Sequence, residues 1–145
     1  MIRAISRSVA AIFVAFILAM IFIVGVEGLT SILYPFPPGV DSSDIEVCKA
    51  HVAQLPTSAF LVASVGWGLA TFSSAWAATR LGSGRHGAHG IGIGFALLAA
   101  AIMNMMMLPY PTWFWIANLV VLPAGIYVGS NLGRARPPIA QNAHA

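Results

Sequence analysis

Residues 9–26 form an apolar run without a charge, and the run resumes past Glu27 as far as Leu33. A stretch of this length calls for a lipid bilayer as its solvent, because about 20 apolar residues in a helix cross the hydrocarbon core. Ile12, Val14, Ile17, Ile21, Ile23 and Val24 would weaken a helix in water. In lipid the backbone must satisfy its own hydrogen bonds, and helix wins. Pro35, Pro37 and Pro38 end the run, since proline lacks an N–H and disfavours helical geometry just before it. Further apolar stretches follow at 56–81, 91–108 and 112–132. The pattern predicts an all-α fold: an antiparallel four-helix transmembrane bundle, with spans at about 9–33, 56–81, 91–108 and 112–132 by this reading.

The polar connections predict the rest. In 35–56, Ile45, Cys48, Val52 and Leu55 recur at helical spacing, with Asp44, Glu46 and Lys49 elsewhere on the wheel. A short amphipathic helix over 43–54 follows, lying on the membrane surface or over the mouth of the bundle. Ser43 and Glu46 fit a capping box at its start. Residues 81–90, rich in glycine, read as a flexible loop carrying Arg85, His86 and His89, and not as a phosphate-binding loop, since no strand precedes them. Pro109-Tyr110-Pro111 makes a tight hairpin, so spans 3 and 4 are antiparallel neighbours. Gly125, Gly129 and Gly133 give two overlapping GxxxG units on span 4, and Gly68 lies on a small-residue stripe of span 2; both suit close helix packing. Pro123 is expected to kink span 4. The domain is single, residues 1–136, and 137–145 read as a disordered tail.

Composition agrees with this picture. Of 145 residues, 59% are hydrophobic and 8% charged, against roughly 25% charged in soluble domains. The mean hydropathy is +0.85. One cysteine, Cys48, excludes an internal disulfide and a zinc site built on several cysteines. The N-terminal segment has the basic start of a signal peptide, but its apolar run is longer than the usual roughly 7–15 residues and no clear cleavage site follows, so it reads as an uncleaved span. Arg3, Arg7, Arg80, Arg85, Arg134 and Arg136 fall on one side of a four-span chain; Asp41, Asp44, Glu46 and Lys49 fall on the other. The positive-inside rule puts both termini in the cytoplasm. The basic residues are explained by topology, and no nucleic-acid partner is expected.

Glu27 is the residue with chemistry to explain. An intramembrane carboxylate costs at least a few kcal/mol if unpaired. Counting residues inward from the loop ends puts Glu27, Ser64, Asn104 and Asn118 in one layer, one per helix, with Thr30 and Ser31 on the Glu27 face. Protonation or hydrogen bonds from the asparagine amides would settle the charge. The candidate intramembrane polar site is therefore Glu27, Asn104, Asn118, Ser64, Thr30 and Ser31. The competing reading makes Glu27 a headgroup-level residue and the asparagines interhelical glue. Met103, Met105, Met106 and Met107 could suggest soft-metal capture, but they cover every side of a helix and read as packing. No metal, cofactor or catalytic set is expected.

Glu27, Tyr34-Pro-Phe-Pro-Pro-Gly39, an acidic loop, Leu55-Pro56, Trp67-Gly68 and Pro109-Tyr-Pro-Thr-Trp-Phe-Trp115 together resemble a set of uncharacterised small four-span inner-membrane proteins of bacteria. The resemblance covers most of residues 25–133. It implies a fold and a bacterial inner-membrane location and brings no reaction with it. Small multidrug-resistance transporters also carry a glutamate in span 1, but nearer mid-membrane and with short loops, from which the 35–56 segment departs. The membrane glutathione-transferase family depends on a charged motif in its second span, where this chain has no charge before Arg80.

The leading expectation is a non-enzymatic accessory, structural or envelope component whose partners are the lipid bilayer and a homodimer or larger membrane complex. The runner-up is a small proton-linked transporter with Glu27 as the coupling carboxylate.

Overall fold

The computed structural model describes residues 2–134; Arg136 and the 137–145 tail lie outside them. Among the described residues there are four long α-helices and one short one: α1 (Ile2–Leu33), α2 (Ile45–Val52), α3 (Thr57–Leu81), α4 (Gly87–Met107) and α5 (Thr112–Arg134). A single 3₁₀ turn, Ser83–Arg85, joins α3 to α4, and no strand occurs among the described residues. All four long helices are long and apolar enough to cross a membrane, and the chain is a multi-pass membrane protein with an all-α helical bundle. One end of the bundle holds the α1–α3 connection and the α4–α5 hairpin; it is called the loop end here. The opposite end holds the start of α1, the α3–α4 turn and Arg134.

The small-residue patterns explain the packing. α3 is the hub, in contact with α1, α4 and α5. On α1, Ala11, Ala15 and Ala19 recur every fourth residue and are buried. They let α1 approach α3 closely enough for Ser74 Oγ to donate to the Ala15 carbonyl at 2.9 Å. On α5, Gly125, Gly129 and Gly133 face the α3 backbone. A Cβ on Gly125 would lie 3.2 Å from the Gly68 carbonyl oxygen, and one on Gly133 would lie 2.8 Å from that of Trp76. Gly68 meets Val121 across the same seam. The backbones touch because nothing projects between them.

Several boundaries differ from the sequence reading. α1 begins at Ile2 rather than 9: Arg3 and Arg7 cannot sit in hydrocarbon, but a helix can extend beyond it, and Arg7 Nε donates to the Leu81 carbonyl at 2.8 Å. α4 begins at Gly87, inside the stretch expected to be loop. Gly87, Gly90 and Gly94 are buried there, and a Cβ on Gly90 would meet Ser130 Oγ at 2.6 Å. These glycines are a packing face rather than a tether. α2 spans 45–52, within the expected stretch of about 43–54. Its N-cap is Asp44, whose carboxylate accepts from the Glu46 N–H at 2.9 Å. Ser43 instead donates from both N and Oγ to Asp41, so the expected capping box does not form. These bonds hold the Asp41 carboxyl below its ordinary range. Pro123 lies within α5, which runs unbroken from 112 to 134. Gly39, at φ +84°, makes the reversal after Pro38 that a side chain would strain.

Candidate functional site

Phe16, Met20, Ile23 and Glu27 are spaced four, three and four residues apart, which stacks them on one face of α1. Opposite them α4 presents Ala96, Ala100, Ala101 and Asn104. Alanine is too short to reach across, so the two helices leave a cleft of about 330 Å³ between them, floored by Trp67, Ala70 and Thr71 of α3. Its lining is almost wholly apolar.

A second cavity, of about 190 Å³, lies at the loop end. Its walls come from the end of α1 (Thr30, Ser31), from Tyr34 and Phe36 beyond it, from α2 (Cys48, His51) and from Tyr110 in the hairpin. Glu27, Trp67 and Asn104 line both cavities. They are shared by an apolar cleft and a more polar vestibule.

The polar groups around these shared walls are partly committed. Tyr110 Oη donates to Asn104 Oδ1 at 2.9 Å, which leaves the Asn104 amide N–H groups without a partner among the described residues. Tyr110 is half-buried and stacks on Phe114 at 4.6 Å and 11°. Burial raises the phenol above its ordinary range, and the Glu27 charge adds to this; Tyr110 is held as a donor. Ser31 Oγ donates to the Glu27 backbone carbonyl at 2.8 Å, a back-bond within the helix. No side chain among the described residues pairs with or donates to the Glu27 carboxylate. The vestibule roof is tied down by a hydrogen bond between Tyr34 Oη and Ser58 Oγ at 2.8 Å, and by Phe36 stacked on His51 at 4.1 Å.

The four-residue polar layer is therefore divided. Glu27 and Asn104 face the same two cavities, with Thr30 and Ser31 beside Glu27. Asn118 and Ser64 line neither cavity. They meet in the α3–α5 seam, where Asn118 Nδ2 donates to Ser64 Oγ at 3.0 Å and to the Phe114 carbonyl at 2.9 Å. Asn118 is fully buried. Such an interhelical bond contributes about 1 kcal/mol, and Asn118 Oδ1 has no partner among the described residues. Depth counting put these residues at one level; it carries no information about rotation around each helix.

Sequence reasoning missed Tyr110, Trp67 and His51 as site residues. Tyr110 turns inward beneath the hairpin, onto Phe60 and Phe114. Its position between two prolines is the signal that could have placed it. Met103, Met106 and Met107 are exposed, whereas Met105 is buried in the core, so the methionines do not converge. Among the described residues, no group of three His, Cys, Asp or Glu could hold a metal ion. In comparisons with known proteins, no family model, no curated protein and no solved structure matches the chain.

Proposed function

We propose that this chain is a non-enzymatic, proton-linked binding protein or small transporter of a bacterial inner membrane, with Glu27 as the working carboxylate. A single observation carries the reading: a carboxylate with no partner among the described residues lines both an apolar cleft between α1 and α4 and a more polar vestibule at the loop end. A purely structural glutamate would be expected to bond the asparagines at its depth. Here Asn118 is taken by Ser64, and Asn104, whose oxygen accepts from Tyr110, makes no hydrogen bond to Glu27 among the described residues, so Glu27 is free to exchange a proton or hold a ligand group. That geometry favours the transporter reading over the accessory-subunit one. The clustering of arginines at the end opposite the loops supports an orientation with both termini in the cytoplasm, which opens the vestibule to the outside.

The test uses proteoliposomes under an imposed pH gradient, with a pH-sensitive dye reading its decay as neutral, anionic and cationic amphiphiles are added in turn. A protein-dependent decay with at least one class is expected, lost in Glu27→Gln and partly kept in Glu27→Asp. Glu27→Gln behaving as wild type would make the carboxylate incidental. The accessory reading would then stand, and a stoichiometric partner copurifying from native membranes would support it.

A further inference from the structure

We infer that the two adjoining cavities hold one amphiphilic organic cation, its ammonium group between Glu27 and the aromatic wall of the vestibule and its apolar tail in the α1–α4 cleft. This rests on the preceding reading of Glu27 and names the ligand class.

The charge balance decides the head group. Among the described residues, Glu27 is the only charged one lining either cavity, and no lysine or arginine lines them. A phosphate or carboxylate head would meet a like charge with no compensating cation. A cation meets a carboxylate that has no other partner among the described residues. The rest of the wall suits the same charge. Trp67 borders both cavities, and Tyr34, Phe36, Phe60 and Tyr110 line the vestibule. Trp67 and Tyr110 are edge-on to one another at 6.2 Å, and Phe60 lies 5.8 Å from Tyr110. Aromatic faces attract ammonium groups through the ring quadrupole, most strongly where water is displaced. The unpartnered Asn104 amide can donate to a hydroxyl or ether oxygen near the head but carries no charge for an anion.

The cleft decides the tail. Its volume, about 330 Å³, falls at the lower end of the roughly 300–1,000 Å³ typical of ligand pockets. Its walls are Phe16, Met20, Ile23, Leu97 and alanines, with Thr71 alone as a polar floor residue. An alkyl or aryl tail gains burial there, and a wholly hydrophilic cation does not. Both parts are needed, so the site selects amphiphiles.

Proton and cation would compete for Glu27. The titratable groups that share its cavities are Tyr34 beyond α1, Cys48 and His51 on α2, and Tyr110 in the hairpin; α3, α4 and α5 contribute none to either lining. Of these, His51 alone has a cationic form, which would oppose a bound cation. The variant His51→Gln separates the two effects.

The experiment measures saturable binding to the full chain in neutral-lipid nanodiscs, with empty nanodiscs subtracted, by quenching of tryptophan fluorescence. The probes are dodecyltrimethylammonium, dodecanol and dodecyl sulfate, chosen to share a tail. The expected result is one saturable site for the ammonium, about tenfold tighter than for dodecanol, and no saturable site for the sulfate. Glu27→Gln should abolish the preference for the ammonium while leaving tail binding, and Ala100→Phe, which fills the cleft, should weaken ammonium and alcohol alike. Acidification should weaken ammonium binding in wild type and in His51→Gln, but not in Glu27→Gln. Preferential, Glu27-dependent binding of the alcohol or the sulfate would overturn the cation proposal and leave the working carboxylate intact. Equal binding of ammonium and alcohol, unchanged by Glu27→Gln, would overturn both. Absence of a saturable site for every probe would overturn the shared cavity itself.

Discussion

At the scale of single residues, Tyr110 shows how a side chain from a turn reaches a candidate site between the helices. Its hydroxyl holds Asn104 Oδ1 at 2.9 Å, which fixes the amide so that its N–H groups are available to the cavities that Asn104 lines. Burial and the Glu27 charge both raise the phenol's titration. An acid whose folded-state value is raised favours folding in its protonated form. Its contribution is complete below the unfolded value, about 10 for tyrosine, and is lost as pH climbs through the higher folded value. The difference in ultraviolet absorbance between the wild type and Tyr110→Phe should therefore show phenolate only at strongly alkaline pH. The same variant should be less stable by about 1 kcal/mol at neutral pH, and that gap should close above the unfolded value. A phenolate signal at the ordinary range would mean that Tyr110 is solvated and does not hold Asn104.

At the scale of elements, glycines and alanines decide which helices touch. The α5 ridge Gly125, Gly129 and Gly133 lies on the α3 backbone, and a Cβ at Gly129 would approach the Trp76 backbone nitrogen to 3.1 Å and the Phe72 carbonyl closer still. Backbone cannot give way as a side chain tip can. Gly129→Ala should cost about 1–3 kcal/mol through overpacking. Gly28 on α1 has nothing within 4 Å of the same built atom, so Gly28→Ala should be neutral or stabilising by up to about 1 kcal/mol, the helix-propensity difference. Unfolding in mixed micelles measures both; similar losses at the two sites would refute the close crossing of α3 and α5. The α5 ridge was legible in the sequence because its spacing is regular within one apolar run. The equivalent face of α4, Gly87, Gly90 and Gly94, was not, because glycine beside serine, arginine and histidine reads as a turn in water. Only the packing, with Gly90 against Thr79, Ala75 and Ser130 and Gly94 against Ile126, gives it a helical reason. The cap of α2 was misplaced by one residue for a related cause: Ser43 and Asp44 are both good caps, and the Asp41 turn claims Ser43.

At the scale of the whole molecule, α3 organises the bundle, and the cleft exists because α1 and α4 each pack on α3 and meet one another at few points. The fold was readable because apolar runs, prolines and charge asymmetry each act along the chain. The site was half readable: depth along a helix gave Glu27 and Asn104, but the pairing of Asn118 with Ser64 depends on helix rotation, and the vestibule depends on a loop folding back over the bundle. Orientation joins these to function, since it decides from which side the vestibule fills. Cys48 is the only cysteine in the chain, is half-buried at the loop end and lines the vestibule, which makes it a native reporter. With both termini in the cytoplasm, a membrane-impermeant maleimide should label Cys48 in intact spheroplasts. A single cysteine at position 83, in the α3–α4 turn, made in a Cys48→Ala background, should label only after lysis. The reverse pattern would invert the bundle. It would place the arginine-rich end outside, open the vestibule to the cytoplasm, and make Glu27 a carboxylate that loads from within the cell.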